Sequence, residues 1–430
     1  MTTTRTLSVE LLTRVEGEGS LHIVLRGDVA ESVELRIFEP PRFFEGFLRG
    51  RSALETPDIT ARICGICPVA YQMSACGAVE DALGITVSDE IRSLRRLLYA
   101  GEWLESHLLH IFFLHAPDFL GYSDALAMAG DHPERVRAAL RMKKAGNALV
   151  TAVGGREIHP INVKVGGFFR APEREAVRSL APELAWLRDE MASCIDWLAS
   201  FEYPSLSTDH ELVALRHETD YPYCEGRVVS SRGLDIAVTE YEDVFEEQQV
   251  SRSTALHSVI RERGGYVCGP LARLSLNQDH LRPAARDALK RSGLKLPCDN
   301  PFRSILARAV EVIQAADEAA ALCARYEPPA ACAVAVPLAA GVGRAATEAP
   351  RGLLFHRYEL DDSGSLKSAK IVPPTSQNQK SIEDDLRVLA PELARLPEAE
   401  ARVLAEHAIR NYDPCISCST HFLELRIERQ

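Results

Sequence analysis

The chain has 430 residues, with 49 Lys and Arg against 61 Asp and Glu, which gives a formal net charge of −12. An acidic surface repels nucleic-acid backbones and anionic membranes, so we expect neither as the main partner. Hydrophobic residues make up 46% of the sequence, enough for a large core, and disorder is not expected. The N-terminus lacks the apolar segment of a signal peptide, and no stretch reaches the roughly 20 apolar residues of a membrane helix. We therefore expect a cytoplasmic protein without a membrane span.

The first predicted elements are a β-hairpin followed by long helices. Apolar and polar residues alternate along 20–25 and 32–38, on either side of a turn-type sequence, as in a hairpin. Apolar side chains then recur at helical spacing along 94–112, 180–198 and 305–320, which predicts long helices that pack in the core.

A second hairpin and a further helix are predicted near the C-terminus. The segments 353–360 and 366–372 bracket a run of turn formers. Ser381 opens an S-x-x-D capping box, which predicts a helix that starts there and ends near Pro391. No repeat or linker marks a boundary within 1–430. We therefore predict one domain of the α+β class, predominantly α, with a long central helix bundle and small peripheral β-hairpins.

The chain contains 11 cysteines. Because this number is odd and no export signal precedes it, a disulfide framework is not expected. Seven cysteines are scattered singly and are predicted to be buried structural thiols: Cys76, Cys194, Cys224, Cys268, Cys298, Cys323 and Cys332. The other four form two C-x-x-C pairs near opposite ends of the chain, Cys64 with Cys67 and Cys415 with Cys418.

Each C-x-x-C pair alone has several explanations. A thioredoxin-like redox pair requires a βαβ setting, which the sequence around Cys64 lacks. Four thiolates could hold a structural zinc ion, but the pairs of such modules usually lie within about 20 residues of each other. A soft transition metal buried in the core suits two distant pairs better. On the cysteines alone, a buried redox metal, zinc and unrelated thiols all remain open.

The residues around the two pairs resemble the signatures of [NiFe]-hydrogenase large subunits. The first pair lies in R-I-C-G-I-C-P (62–68) and the second in D-P-C-I-S-C-S-T-H (413–421), similar to R-x-C-G-x-C and D-P-C-x-x-C-x-x-[HR]. Further similarity covers essentially the whole chain and includes 13–17, 42–51, 155–160, 348–352 and 372–375. The resemblance implies the fold of that family and the reversible heterolytic cleavage of dihydrogen to protons and electrons.

The resemblance implies two metal positions. Cys64 and Cys415 would be terminal nickel ligands, while Cys67 and Cys418 would bridge nickel to an iron that carries cyanide and carbon monoxide. A second, buried magnesium or iron ion would be held by a separate pair of residues, Glu45 and His421. Without the motif, Glu45 would be predicted to be a solvated residue among neighbouring arginines.

Further site residues follow from the same resemblance. Glu16 would take the proton from a nickel thiolate and pass it outward, and Arg351 would lie over the open side of the metals. Asp118 and Asp413 resemble the carboxylates that pair with this arginine. Without the motifs, all four would be ordinary surface, turn or helix-end residues.

One more segment resembles a wall of the metal site in this family. Thr375 lies in a Pro-Pro-Thr segment similar to the cyanide-binding loop, where its hydroxyl would donate to a ligand nitrogen. Pro373 and Pro374 would keep this wall rigid.

The sequence departs from the family pattern at two places. The first signature commonly continues C-P-x-x-H, but the residue four after Cys67 is Tyr71, which leaves the tuning of the Cys67 thiolate open. Nine residues follow His421, after which a maturation endopeptidase usually cuts. We therefore predict that 422–430 is a propeptide; the alternative is a retained edge strand.

The chain lacks a G-x-G-x-x-G motif and a cysteine run for iron–sulfur clusters, so electrons must leave through other subunits. We expect an iron–sulfur small subunit and flavin and iron–sulfur diaphorase subunits, because the sequence looks most like the cytoplasmic, bidirectional group linked to NAD(P), which includes sulfhydrogenases. The alternatives are a metal-free scaffold related to the quinone-reductase subunit of respiratory complex I and a structural zinc protein.

Overall fold

The computed structural model describes residues 4–40 and 42–420, and about half of them lie in helices. The helices are α1 (Phe44–Leu48), α2 (Thr56–Thr60), α3 (Pro68–Leu83), α4 (Asp89–Leu109), α5 (Ala116–Leu120), α6 (Ala125–Asp131), α7 (Pro133–Gly154), α8 (Arg174–Arg178), α9 (Ala181–Ala199), α10 (Tyr241–Val244), α11 (Pro270–Asn277), α12 (Pro283–Ser292), α13 (Ser304–Ala324), α14 (Pro374–Val388), α15 (Ala390–Arg395), α16 (Glu398–Arg410) and α17 (Ile416–Ser419).

The strands are short and lie in five small sheets. They are β1 (Thr4–Val9), β2 (Gly19–Arg26), β3 (Val29–Ile37), β4 (Val163–Lys164), β5 (Gly167–Phe168), β6 (Glu211–Arg216), β7 (Arg227–Ser230), β8 (Asp235–Ile236), β9 (Phe245–Gln248), β10 (His257–Ile260), β11 (Tyr266–Val267), β12 (Gly341–Ala349), β13 (Gly352–Leu360) and β14 (Leu366–Val372). Their orders are β1-β2-β3, β4-β5, β11-β6-β7-β8, β10-β9 and β12-β13-β14, and only the β11–β6 pairing is parallel among these described strands.

The long helices form the centre of the molecule. Helix α13 packs against α9 and α4, and α4 also packs against α7. Almost every side chain of α13 is buried, including those of Arg308 and Glu311, as expected for a helix that runs through the middle of a bundle. The predicted α+β class, with a central helix bundle and peripheral hairpins, is confirmed.

Both predicted hairpins are present, and each gains a third strand that the pattern did not predict. Strand β12 has little apolar alternation because it packs closely on α3. A Cβ at Gly343 would lie 2.0 Å from the carbonyl oxygen of Ala78, and one at Gly341 would lie 2.3 Å from that of Ala82. Glycine is therefore required there, and it hides the strand from a hydrophobic pattern.

The helix predicted to start at Ser381 begins earlier, at Pro374, so the capping-box prediction is wrong. Pro374 occupies the first helical position, where its fixed φ favours helix and its missing N–H costs nothing. Ser381 lies inside the helix, and its hydroxyl donates to the carbonyl oxygen of Tyr266 at 2.8 Å.

No helix within 4–40 and 42–420 is long and apolar enough to cross a membrane. The single-domain boundary at 1–430 stays a prediction. The proposed propeptide, 422–430, lies outside the described residues.

Candidate metal centre

The fold brings the two cysteine pairs together. Cys64 and Cys67 lie between a 3-10 turn, Ala61–Ile63, and the start of α3. Cys415 precedes α17, and Cys418 lies in it. All four are buried, and their sulfur atoms lie within 4.8 Å of one another. The Cys64 and Cys415 sulfurs are 3.5 Å apart.

This donor set fits a soft transition metal. It consists of four buried sulfurs, which select that class of metal over magnesium or calcium. A hydrogen bond from the Cys67 thiol lowers the pKa of Cys64, and the amides of Ile66 and Cys67 donate to its sulfur at 3.3 Å. These contacts favour the thiolate, which is the form that binds metals. The sulfurs of Cys415 and Cys418 contact each other.

Glu16 reaches the cluster from the N-terminal segment. It forms a β-bridge with Cys415, and its carbonyl oxygen accepts from the amide of Ile416 at 2.8 Å. Its Oε2 lies 3.1 Å from the Cys415 sulfur and accepts from the amide of Ser417 at 3.1 Å. Gly17 follows with φ +86°, and a Cβ there would lie 2.8 Å from the Ser417 nitrogen. The close approach of the two segments therefore requires this glycine.

Arg351 and Asp413 form a buried pair. The Nη2 of Arg351 donates to Asp413 Oδ1 at 3.1 Å, and its Nε donates to the Asp413 carbonyl at 2.6 Å. Burial opposes the charged guanidinium, but the charges of Asp413, Cys67 and Cys64 raise the pKa of Arg351 above its usual value. Among the described residues, Arg351 Nη1 and Asp413 Oδ2 have no hydrogen-bond partner. A free donor and a free acceptor are therefore buried within one ion pair.

Asp118 does not join this pair. In the described chain its carboxylate accepts two hydrogen bonds from Arg410, at 2.8 and 2.9 Å, and one from Arg14. The prediction that Asp118 pairs with Arg351 is wrong because these two other arginines occupy its oxygens.

Thr375 contacts the second cysteine pair through the backbone. Its Oγ1 accepts from the amide of Cys415 at 3.0 Å. Instead of a loop, its segment forms the first turn of α14, with Pro373 at the N-cap and Pro374 next. Pro374 and Thr375 are buried.

Glu45 lies in α1 on the wall of a cavity of about 370 Å³ that also touches Cys418 and Thr420. Its Oε1 accepts from the amide of Ile371 at 2.7 Å. His421, its expected partner, lies outside the described residues, so a metal between them stays a prediction.

Tyr71, the departure from the first signature, is 1% exposed. Burial raises the pKa of its phenol well above the usual value. The ring centroid lies 5.8 Å from that of His356. Within the part of the chain that the structure describes, the Tyr71 hydroxyl has no hydrogen-bond partner.

Two residues that the motifs did not reveal support the site from neighbouring helices. Glu102, in α4, accepts from the amides of Val69 and Ala70 at 2.6 and 3.1 Å, in the turn of α3 that follows Cys67. Arg273, in α11, donates to the carbonyls of residues 349 and 350 at 2.7 and 2.9 Å, directly before Arg351. A charged side chain on an otherwise apolar helix face is the signal that could have found Glu102.

Comparison with known proteins fits this geometry. Residues 42–138 match the family model for nickel-dependent hydrogenase. Sulfhydrogenase 1 subunit alpha of Pyrococcus furiosus is 31% identical over 423 residues, which cover 97% of this chain and 98% of that protein. The chain belongs to the nickel-dependent hydrogenase family. The NAD-reducing hydrogenase HoxS subunit beta of Cupriavidus necator is 28% identical over 468 residues, which cover 97% of this hydrogenase chain and 95% of that one.

A crystal structure of an NAD+-reducing [NiFe]-hydrogenase in the H2-reduced state superimposes with a TM-score of 0.87 at 25% identity, and covers 98% of this hydrogenase chain and 100% of that chain. The prediction of a hydrogenase large subunit is confirmed, with a cysteine cluster positioned for a nickel–iron centre. The scaffold and zinc alternatives do not fit these similarities.

Proposed function

We propose that this hydrogenase subunit holds its nickel–iron centre on the four clustered cysteines, with Cys64 and Cys415 as terminal nickel ligands and Cys67 and Cys418 as bridges to an iron with cyanide and carbon monoxide ligands. The observation that carries this is the burial of four sulfurs within 4.8 Å of one another. When bound, such a centre would supply the polarisation for heterolytic cleavage of dihydrogen, and the overall products of the oxidation are two protons and two electrons. The chain's own task is to hold the sulfurs and remove protons.

Glu16 is the proposed proton acceptor. A protonated Cys415 thiol can donate to Glu16 Oε2 across their 3.1 Å separation, which is within the range for proton transfer. Outward of Glu16 lie Ser417, whose amide donates to Glu16 Oε2 at 3.1 Å, and Glu39, whose Oε1 accepts from the Ser417 hydroxyl at 3.0 Å. The Glu39 side chain is 14% exposed, so a proton that reaches it can pass to solvent.

Arg351 and Asp413 are proposed to prepare the site for substrate. Asp413 fixes the guanidinium through two contacts and leaves Nη1 as a donor for dihydrogen or an iron ligand. A fixed cation in a buried site stabilises developing negative charge without reorganisation.

Thr375 is proposed to donate to a cyanide nitrogen. Its oxygen already accepts from the amide of Cys415, which leaves its O–H as a donor. Pro373 and Pro374 fix the backbone at this point, because each has a restricted φ.

Glu45 and His421 are proposed to bind magnesium or a second iron at the cavity next to Cys418. A carboxylate and an imidazole suit either ion. We also propose that a maturation endopeptidase removes 422–430 after His421. Intact-mass measurement of the nickel-loaded subunit tests this, since a full-length loaded chain would contradict it.

The proposed partners are an iron–sulfur small subunit and diaphorase subunits that pass electrons to NAD(P) in the cytoplasm. The similarity to a NAD-reducing hydrogenase supports the acceptor. Exposed apolar side chains near the first cysteine pair support a docking face: Phe43, Phe47, Ile158, Ile161 and Phe169. Two hydrogen bonds tie the segments 42–47 and 158–161 to the turn before Cys64. His159 Nδ1 donates to the Ala61 carbonyl at 2.8 Å, and Arg42 Nη1 donates to the Ile63 carbonyl at 3.0 Å.

Metal analysis of the purified complex tests the proposal. We expect about one nickel per chain, as four protein thiolates define a single site, and dihydrogen-dependent dye reduction. Cys415→Ala should abolish both, whereas Cys76→Ala, which changes a buried thiol outside the cluster, should preserve both. Zinc without nickel, or full activity in Cys415→Ala, would contradict it.

A further inference from the structure

Asp118 joins two arginines from opposite ends of the chain. Its side chain is 1% exposed, and that of Arg410 is 2% exposed. Arg410 binds both carboxylate oxygens, and Arg14 binds Oδ1. One carboxylate therefore holds together two guanidiniums that would otherwise repel each other in a buried place.

The first arginine precedes Glu16 by two residues. Arg14 has φ +56°, a left-handed conformation that residues other than glycine rarely adopt. Contacts from outside this segment hold the turn in place. Arg14 Nη1 donates to the Leu114 carbonyl at 3.0 Å, and Arg410 Nη1 donates to the Thr13 carbonyl at 2.9 Å. The backbone that carries Glu16 is therefore fixed through Arg14 and Arg410.

The second arginine precedes Cys415 by five residues. Arg410 ends α16, and its carbonyl oxygen accepts from His110 Nε2 at 2.8 Å. Arg410 thus fixes the start of the segment that leads to Cys415 through its backbone carbonyl, and the turn that leads to Glu16 through its side chain.

We propose that Asp118 is a positioning residue that sets the separation of Glu16 Oε2 from the Cys415 sulfur by clamping Arg14 and Arg410. It touches neither group and acts only through the two arginines. This inference rests on the proposed role of Glu16 as proton acceptor. Loss of the Asp118 charge leaves two facing cations, which separate and move the Glu16 segment away from Cys415.

Two dihydrogen reactions of the holoenzyme complex distinguish a loss of Glu16 positioning from a general loss of catalytic function. Exchange of dihydrogen with D2O requires cleavage and proton exit, whereas conversion of parahydrogen to orthohydrogen requires cleavage alone. In Asp118→Asn, we expect exchange to fall by about 10- to 100-fold, as a displacement of about 1 Å does to a reacting group. The para-to-ortho conversion should stay at the wild-type rate.

Amide hydrogen exchange followed by mass spectrometry provides a readout independent of activity. Asp118→Asn should lose protection in peptides that cover 10–18 and 408–416, while peptides of α13 stay unchanged. Arg14→Gln provides a second variant at a side chain that is 16% exposed, should Asp118→Asn fail to fold or load metal, and the same results are expected for it.

Asp317 offers a matched control. Its carboxylate also joins two arginines from different elements, Arg188 at 2.9 Å and Arg282 at 2.5 Å. Asp317→Asn should leave the ratio of the two dihydrogen reactions, and the protection of 10–18, at wild-type values.

Glu16→Gln separates this inference from the proposed function. If Glu16→Gln retains dihydrogen exchange with D2O, Glu16 is not the proton acceptor. The protection of 10–18 in Asp118→Asn still tests whether Asp118 positions Arg14 and Arg410. If Glu16→Gln loses the exchange while Asp118→Asn and Arg14→Gln keep the wild-type ratio of the two dihydrogen reactions and the wild-type amide protection, the positioning role of Asp118 is wrong. A parallel fall of both dihydrogen reactions in these two variants would also overturn it.

Discussion

The two cysteine pairs are held in different ways. The first pair lies at the start of a long helix, and its own segment supports it, since the amides of Ile66 and Cys67 donate to Cys64. One further support, Glu102 of α4, accepts from the first turn of α3. The second pair has only the short helix α17, which spans Ile416–Ser419. Distant segments supply its supports.

The supports of the second pair come from four places in the chain. Glu16 bridges to Cys415, Thr375 accepts from its amide, and Arg351 holds Asp413. Arg410 is fixed by Asp118. The first pair is thus built mainly from local structure, and the second from tertiary contacts that include the proposed proton acceptor. We expect changes near the second pair to alter proton transfer and changes near the first pair to alter stability.

The largest expected effect comes from a pair of matched glutamate substitutions. Glu16→Gln should lower steady-state dihydrogen oxidation by about 10²- to 10⁴-fold, because it removes the group that takes the proton. Glu102→Gln should stay close to wild type, since burial raises the pKa of Glu102 and a neutral amide oxygen can still accept from Val69 and Ala70. Dye-coupled assays at equal nickel content measure both. A large loss of dihydrogen oxidation in Glu102→Gln, together with an active Glu16→Gln, would contradict the expected difference between the two cysteine pairs.

We expect acid to destabilise the structure around the second cysteine pair before the structure around the first. Burial lowers the pKa of His407 to about 4 and that of His110 and His115 well below the usual value. These histidines are neutral in the folded chain, so between pH 6.5 and 4 the unfolded state binds more protons. Their contribution to stability is therefore lost as pH falls through that window, by up to about 1.4 kcal/mol per pH unit for each histidine.

Burial raises the pKa of Glu105 to about 8 and that of Glu348 to about 7, which adds stability as pH falls. The change in urea midpoint between pH 7 and pH 5 is therefore compared between the wild type and a histidine variant, and amide exchange locates the loss. Peptides around 405–418 should lose protection at pH 5 before those around 62–83. His407→Phe should flatten the pH dependence, because the ring packs among Phe119 and Phe302 and an apolar ring does not titrate. An unchanged slope in this variant would contradict the assignment to His407.

Glu102→Ala should lower stability at the first pair. It leaves the buried amides of Val69 and Ala70 without their acceptor, which costs about 1–3 kcal/mol. The free energy of unfolding in denaturant measures this. We expect the para-to-ortho conversion per bound nickel to stay unchanged, and a loss of that conversion at full nickel content would show that Glu102 acts in the chemistry.

The smallest effect is expected for Tyr71→Phe. Its hydroxyl has no partner among the described residues, so removal of this hydroxyl should change stability by less than about 1 kcal/mol, the value of a typical hydrogen bond. Thermal unfolding and dye reduction measure it. A clear loss of activity would mean that the phenol donates to Cys67 in the loaded enzyme.

Local pattern and motif predicted much of the fold and the metal centre. The hairpins and the long helices follow from hydrophobic periodicity, and the four cysteines from their flanking residues. Strand β12 escaped prediction because Gly341 and Gly343 pack against the backbone of α3. A close approach of this kind depends on the partner element and leaves no apolar alternation.

The errors at the site concern long-range partners. The pairing of Asp118 depends on where Arg14 and Arg410 lie in the folded chain, and no local signal encodes that. Glu102 and Arg273 were missed because each binds the backbone of a segment distant in sequence. A charged residue on an apolar helix face could have indicated Glu102, but not which amides it binds. Motifs predict which residues carry the chemistry, whereas their supports are set by tertiary packing.

Nickel X-ray absorption spectroscopy of the purified complex shows directly whether the four clustered cysteines hold nickel. We expect nickel bound by sulfur from all four cysteines, and loss of this sulfur shell when Cys64 or Cys415 is replaced by alanine. Nickel surrounded mainly by nitrogen and oxygen, or a sulfur shell that survives in both variants, would contradict it.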